Sequence, residues 1–343
     1  MKLYLKTLSS AVAVAAAVAV WSPSPAWAVK GGHKERGSVQ EKGNTGAGKA
    51  SATAGGVQFD YSKNPRTQGG GQVTPMSNWT PPACWYAPKW TPEQAAQDRL
   101  GLDFSPNHDQ GNAETYRKAY IDGKYKNFNV KNQGKGYWWG SYQNPDRLDD
   151  AGVDACTKLP FWVDKGAQPP ADVPNAVTPE VLAQLAYTEI EIPQGKASMA
   201  PADGDQVVNL PTWVWLNNAD FHPVSVTARV DALNIQATTT ATPVSMHIDA
   251  GTADAQTYPA GGDCPIHDGR IGTERPPGAK GDPPCGVEYL RSTDGSGPYR
   301  FKATITWKIS WIGTNHPDPT KLSDGTYGTP QDVTVKEIQS VVR

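Results

Sequence analysis

The chain has 343 residues, with 32 Lys and Arg against 34 Asp and Glu, a formal charge of −2. A near-neutral, slightly acidic chain gives no electrostatic case for nucleic-acid binding. The length suffices for two modest domains and a tail.

The N terminus carries Lys2 and Lys6, then an apolar run from Leu8 to Trp21, then Ser22-Pro-Ser-Pro25 and Ala26-Trp27-Ala28. A positive start, a short apolar run and an Ala-x-Ala site predict a signal peptide over 1–28, cleaved after Ala28. Removing Lys2 and Lys6 takes the charge from −2 to −4. The mature chain is then extracellular, with no membrane attachment after cleavage.

Residues 29–77 are rich in Gly, Ser, Thr, Lys and Gln, and are expected to be a disordered tail. A small, aromatic-rich α+β region is expected over 78–166. Thr91-Pro-Glu-Gln94 is a capping box with Pro at the first helical position, and the helix it starts ends near Gly101. A second short helix is expected from Ala113 to Ile121. Residues 167–177 form a Pro-rich linker, and Thr178-Pro-Glu180 caps a third helix reaching about Ala186.

Strands are then expected at Tyr187–Ile192, Val207–Leu216, Val224–Val230, Leu233–Ala241, Val244–Ile248, Val287–Leu290, Tyr299–Trp311 and Val333–Val341. The strongest signal is Tyr299 to Trp311, where every odd position is apolar and every even one polar. Strict alternation means a strand with one buried and one wet face, hence an antiparallel sheet. Short strands at this spacing without helices predict a β-sandwich over 178–343. Trp213 and Trp215 share one face, as do Trp307 and Trp311, and both pairs are expected in its core.

Four cysteines in an exported chain imply two disulfides, and three pairings are possible. The division into two regions favours Cys84–Cys156 and Cys264–Cys285. A zinc site is the alternative, disfavoured by the wide spacing.

Five segments occur together and in order: Leu182-Ala-x-x-Ala186, Val208-Asn-Leu-Pro-Thr-Trp-Val-Trp-Leu216, Cys285-Gly-x-x-Tyr289, Ala303-Thr-Ile-Thr-Trp-x-x-x-Trp311 and Val335-x-Glu-Ile-Gln-x-Val341. Their combination resembles a family of exported actinobacterial proteins with a C-terminal PKD-like, immunoglobulin-type sandwich. The resemblance covers roughly 178–343. The turn expected in such domains has diverged here to His247-Ile-Asp-Ala-Gly-Thr-Ala-Asp254. The fold class expected is therefore mainly β: a disordered tail, a disulfide-linked α+β region and a PKD/Ig-like antiparallel sandwich with a short leading helix.

The six histidines show no metal-binding spacing, and no nucleophile elbow or phosphate loop is present. No cofactor is implied. Asp203 with Asp205, and Asp249 with Asp254, have oxygen ligands suited to calcium, although Asp and Gly are also ordinary turn residues. Tyr137, Trp138 and Trp139 are the candidate ligand-stacking residues, because adjacent aromatics on a strand face opposite ways and one can be exposed; the bland reading places both indoles in the core. The leading function is a noncatalytic interaction or structural module that meets a cell-wall glycan or a surface protein. The alternative is an extracellular hydrolase with its site in 78–166, using carboxylates among Asp98, Asp103, Asp109 and Glu114. A third is a small-ligand or ion sensor at the Cys264–Cys285 loop.

Overall fold

The computed structural model describes residues 51–54, 56–64, 70–105, 110–192, 196–202, 204–217 and 221–338. The signal peptide expected over 1–28 and the first part of the expected tail lie outside these. The protein is mainly β, with antiparallel sheets and two disulfides, Cys84–Cys156 and Cys264–Cys285.

The strand Tyr299–Gly313 runs through the middle of the largest sheet. Its odd residues Phe301, Ala303, Ile305, Trp307, Ile309 and Trp311 are buried, as their alternation requires. Burying a Trp such as Trp307 removes some 150–250 Å² from water, worth roughly 4–6 kcal/mol at 25 cal/mol per Å². On one side it pairs with Ile235–Asp249, on the other with Gly325–Val333.

Ile235–Asp249 merges two strands that the sequence suggested separately. The register shifts between Pro243 and Ser245. Buried positions are odd before the shift (Ala237, Thr239, Ala241) and even after it (Met246, Ile248). The bulge inserts one residue and so restores the apolar face, and Pro, with no N–H to give a ladder, is tolerated there.

The sheet continues through Val224–Val230 to Val57–Lys63 and Ser51–Ala54. The tail expected over 29–77 is thus corrected for its later part. Val57, Phe59 and Tyr61 alternate into the core, and Gly71–Gln72 and Thr74–Pro75 pair with Glu191–Ile192 and Gly325–Val333. Alternation at three apolar positions buries enough surface to order a segment whose neighbours are Gly- and Ser-rich.

A smaller four-stranded sheet has the order Ala255–Tyr258, Gly286–Tyr289, Thr212–Trp215, Ser198–Ala200. Its Val214, Val287 and Tyr289 join the same core as Phe301 and Trp307. Trp213 and Trp215 are corrected: both are only half-buried and lie on the opposite face from Val214. All four residues from Trp213 to Leu216 are apolar, so nothing in the strand itself sets which face turns inward. The Cys264–Cys285 bridge joins the strand Asp263–His267 of the large sheet to the segment entering Gly286–Tyr289 of the small one.

Helix α3, Pro179–Thr188, starts at the Thr178 cap and buries Leu182, Ala183, Leu185, Ala186 and Tyr187. It packs on Ile235–Asp249, where Ala237 and Ala241 leave room and buried Thr239 Oγ1 donates to Ala183 O at 2.8 Å. The helix extends through Thr188, so of the strand expected at Tyr187–Ile192 only Glu191–Ile192 is extended.

The aromatic-rich region holds a sheet of Cys84–Trp90, Gly136–Gln143 and Phe161–Asp164. Helix α1, Pro92–Asp98, begins with the expected capping box between Thr91 and Gln94. Helix α2, Gln110–Arg117, continues into a wider turn over Lys118–Asp122. On one face of this sheet Trp139, with Tyr86 and Phe161, joins the main core, and on the other Trp138 builds a second one with α1. The expected linker 167–177 is docked: the Tyr86 amide donates to Asn175 O at 3.0 Å, the Val177 amide donates to Tyr86 O at 2.8 Å, and Val177 is buried.

Candidate functional site

The site grows from Gly136–Gln143. Adjacent Trp138 and Trp139 point to opposite faces, as a strand demands, yet both are fully buried. Neither indole is exposed for stacking, which corrects that expectation; Tyr137 is half-buried against the main core. The reason is that this sheet is covered on both faces.

Trp138 acts from beneath. Its ring meets Tyr120 edge-on at 5.2 Å, Tyr125 at 5.1 Å and Trp162 at 5.8 Å. Its Nε1 donates to Phe128 O at 2.9 Å. Phe128 sits in an uncommon turn: Asn127, Phe128 and Asn129 have φ of 48°, 55° and 63°. Left-handed backbone costs roughly 1–2 kcal/mol per non-Gly residue, with Asn the best tolerated, and a bulky Phe there needs outside support. The Trp138 bond and burial of the Phe128 ring supply it.

The turn directs Asn129 to a cleft of about 420 Å³, shared with Tyr125, Asn132, Trp162, Asp164 and Gln168. Asn129 Oδ1 accepts from Asn132 Nδ2 at 2.7 Å, and Trp162 Nε1 donates to Asp164 Oδ1 at 2.6 Å. Lys124 Nζ lies 5.1 Å from the Tyr125 ring centre, within cation–π range. Two partly exposed aromatic rings rest on a buried third, and amides, a carboxylate and an ammonium ring the same space. That combination suits a ligand with apolar faces and many hydroxyls.

Burial raises the Tyr120 phenol well above its ordinary pKa, with the neighbouring Tyr116 adding to it; its OH donates to Pro160 O at 2.8 Å. Tyr120 is a supporting group, not an acid in reach of the cleft.

The carboxylates considered for hydrolysis do not converge here. Among the described residues, Asp164 is the one acidic residue lining the cleft. Glu114 is exposed on α2, and its hydrogen bond and ion pair with Lys118 at 2.6 Å lower its pKa, the wrong direction for a general acid. Asp103 Oδ1 accepts from the Ser105 amide at 2.7 Å, and Asp109 lies outside the described residues. The calcium candidates have other partners: Asp205 pairs with Lys336, Asp254 with Arg291, and Asp249 Oδ1 accepts from the Gly251 amide in a turn. Asp203 is outside the described residues. Among the described residues no group of three or more His, Cys, Asp or Glu could hold a metal ion. A cavity of about 550 Å³ lies beside the Cys264–Cys285 bridge, lined by Pro259, Pro265 and Pro284 with His267, Asp268 and Arg270.

Tyr125, Asn129 and Trp162 were not among the candidate residues of the sequence. The Asn-Phe-Asn run was the available signal, since Asn is the residue most often found with positive φ after Gly. Among the described residues no helix is long and apolar enough to cross a membrane. Comparison with family models, curated proteins and solved structures finds no match to this chain.

Proposed function

We propose that the protein is an exported, noncatalytic recognition module that holds a neutral cell-wall glycan in the cleft between Tyr125 and Trp162. In this reading the two-sheet body is a PKD-like, immunoglobulin-type sandwich that carries the cleft-bearing region. The observation that carries the proposal is the pair of half-exposed rings braced edge-on by buried Trp138, with Asn129, Asn132, Gln168 and Asp164 at their rim. Pyranose rings present C–H faces to aromatics and hydroxyls to amides and carboxylates. The signal-peptide pattern and the two disulfides support a location outside the cell.

Co-sedimentation of the purified protein with insoluble cell-wall material tests the reading. The protein is expected to pellet, and Trp162→Ala to weaken binding by about tenfold, the loss of roughly 1.4 kcal/mol of stacking. Wild-type protein that stays in the supernatant, or a variant that binds equally well, would overturn it.

A further inference from the structure

The cavity of about 550 Å³ beside the Cys264–Cys285 bridge shares no described residue with the Tyr125–Trp162 cleft, and it is built on a hairpin. Asp263–His267 and Arg270–Ile271 pair antiparallel, with His267 opposite Arg270. The two residues between them, Asp268 and Gly269, have φ of 50° and 74°, the left-handed pair that a tight two-residue turn requires. Partners across a ladder share a face, and so do residues two apart on one strand. Pro265, His267 and Arg270 therefore stand on one face of the hairpin, and Ile266 and Ile271 on the other. Ile271 is buried in the main core, and the three residues of the opposite face all line the cavity.

The cavity has an apolar end and a charged end. Cys264 and Cys285 are buried, so their bridge forms the floor, and the exposed rings of Pro259, Pro265 and Pro284 wall it. The charged groups sit at the turn. A strand rises about 3.3 Å per residue, so Cys264 and His267 set the two ends roughly 10 Å apart. Among the described residues Asp268 is the one acid of the lining, and its Oδ2 lies 3.1 Å from His267 Nδ1. The exposed Arg270 guanidinium has no ion-pair or hydrogen-bond partner among the described residues, and strand alternation turns it to the cavity side.

A ligand that fills this space needs an apolar body at one end and a negative group at the other. The planar guanidinium offers two parallel N–H donors, which match the two oxygens of a carboxylate. Proline rings and a disulfide present little but C–H and sulfur surface, which suits an aromatic ring or a short hydrocarbon chain. The volume falls within the range of small-ligand pockets, roughly 300–1,000 Å³. We propose that this cavity binds a small organic monocarboxylate with one aromatic ring or a short hydrocarbon body, its carboxylate held by Arg270 and its apolar end on the Cys264–Cys285 bridge. The bridge then shapes a binding site as well as joining two sheets. This inference goes beyond the glycan reading and does not depend on it.

The test uses the full chain with both disulfides formed and 3-phenylpropionate as the probe, by calorimetry and by backbone amide shifts in NMR. The acid is expected to bind and to shift the amides of 264–273. Acetate, which lacks the ring, and 3-phenylpropanamide, which lacks the charge, should each bind at least about tenfold more weakly. Arg270→Gln should weaken the acid by at least about tenfold, the loss of a charge-assisted pair, and bring it level with the amide. Arg270→Lys, which keeps the charge but not the fork, should fall between. Arg270 is exposed at a turn, so both variants should unfold at the wild-type urea midpoint. Trp162→Ala should bind the acid as wild type does, and a loss there would place the acid in the other cleft and overturn the proposal. Equal binding of acid and amide, an Arg270→Gln variant that titrates like wild type, shifts confined to residues outside 259–285, or no binding of the acid would also overturn it.

Discussion

Trp138→Phe removes one N–H and part of one ring from the support of the candidate cleft. The Nε1 to Phe128 O bond of 2.9 Å is lost, and a buried carbonyl loses its donor. An unsatisfied buried acceptor costs about 1–3 kcal/mol. The smaller ring also gives up part of its edge contacts with Tyr120, Tyr125 and Trp162, of which one aromatic pair is worth about 0.5–1.5 kcal/mol. The sum is a loss of roughly 2–4 kcal/mol, a large share of the stability of an ordinary domain. The effect should be local as well as global, because the left-handed backbone of Asn127, Phe128 and Asn129 relaxes once its brace is gone. Urea unfolding gives the total, and amide hydrogen exchange over 127–132 gives the local part. A variant within about 0.5 kcal/mol of wild type, the range of an inert surface change, with unchanged exchange in the turn, would refute the idea that Trp138 holds it.

Phe59→Ala should cost about 3–5 kcal/mol by chemical denaturation, because Phe59 is a core residue of the strand Val57–Lys63 and not part of a free tail; a change below about 0.5 kcal/mol would return that segment to the tail. Tyr258 should titrate late in an absorbance scan. Its hydrogen bond to Glu288 at 2.6 Å, with burial and the charges of Glu288 and Asp282, pushes its pKa from about 10 up to about 12. Since the folded pKa is raised, its contribution to stability is complete below pH about 10 and fades as pH climbs to about 12. Glu288→Gln should bring the titration back toward the ordinary value, and an unchanged curve would disprove the cause.

What was legible in the chain was whatever alternated or was capped. The strand Tyr299–Gly313 shows strict alternation, and α1 and α3 show Thr-Pro starts with the cap oxygen in place. The strand Gly325–Val333 was hidden because Gly, Thr and Pro make up most of it and no apolar alternation runs along it. Its glycines are needed for space: a Cβ on Gly325 would lie 2.1 Å from Val73 Cγ1, and one on Gly328 2.6 Å from Ala303 O. His316–Lys321 was hidden because it is exposed throughout and holds two prolines, an edge strand with no apolar face to show. The cleft was unreadable for another reason. Tyr125, Asn129, Trp162 and Gln168 come from separate turns and strands, and only the packing around Trp138 and the docked 167–177 segment bring them together. Trp138 and Trp139 drew notice as a pair, but their roles depend on what covers each face, which one strand cannot tell.

The pairing of Val57–Lys63 with Val224–Val230 bears on how the molecule comes into being. Arg229 Nε donates to Gln58 Oε1 across 171 positions of chain. A nascent polypeptide therefore carries Val57, Phe59 and Tyr61 bare to solvent until most of its length has been made. Only then does the ladder they complete exist. Closing so large a loop is entropically costly and slow, so maturation of this sheet is a late event. In the interval the waiting segment is a sticky ribbon, and a holding chaperone would find its grip there.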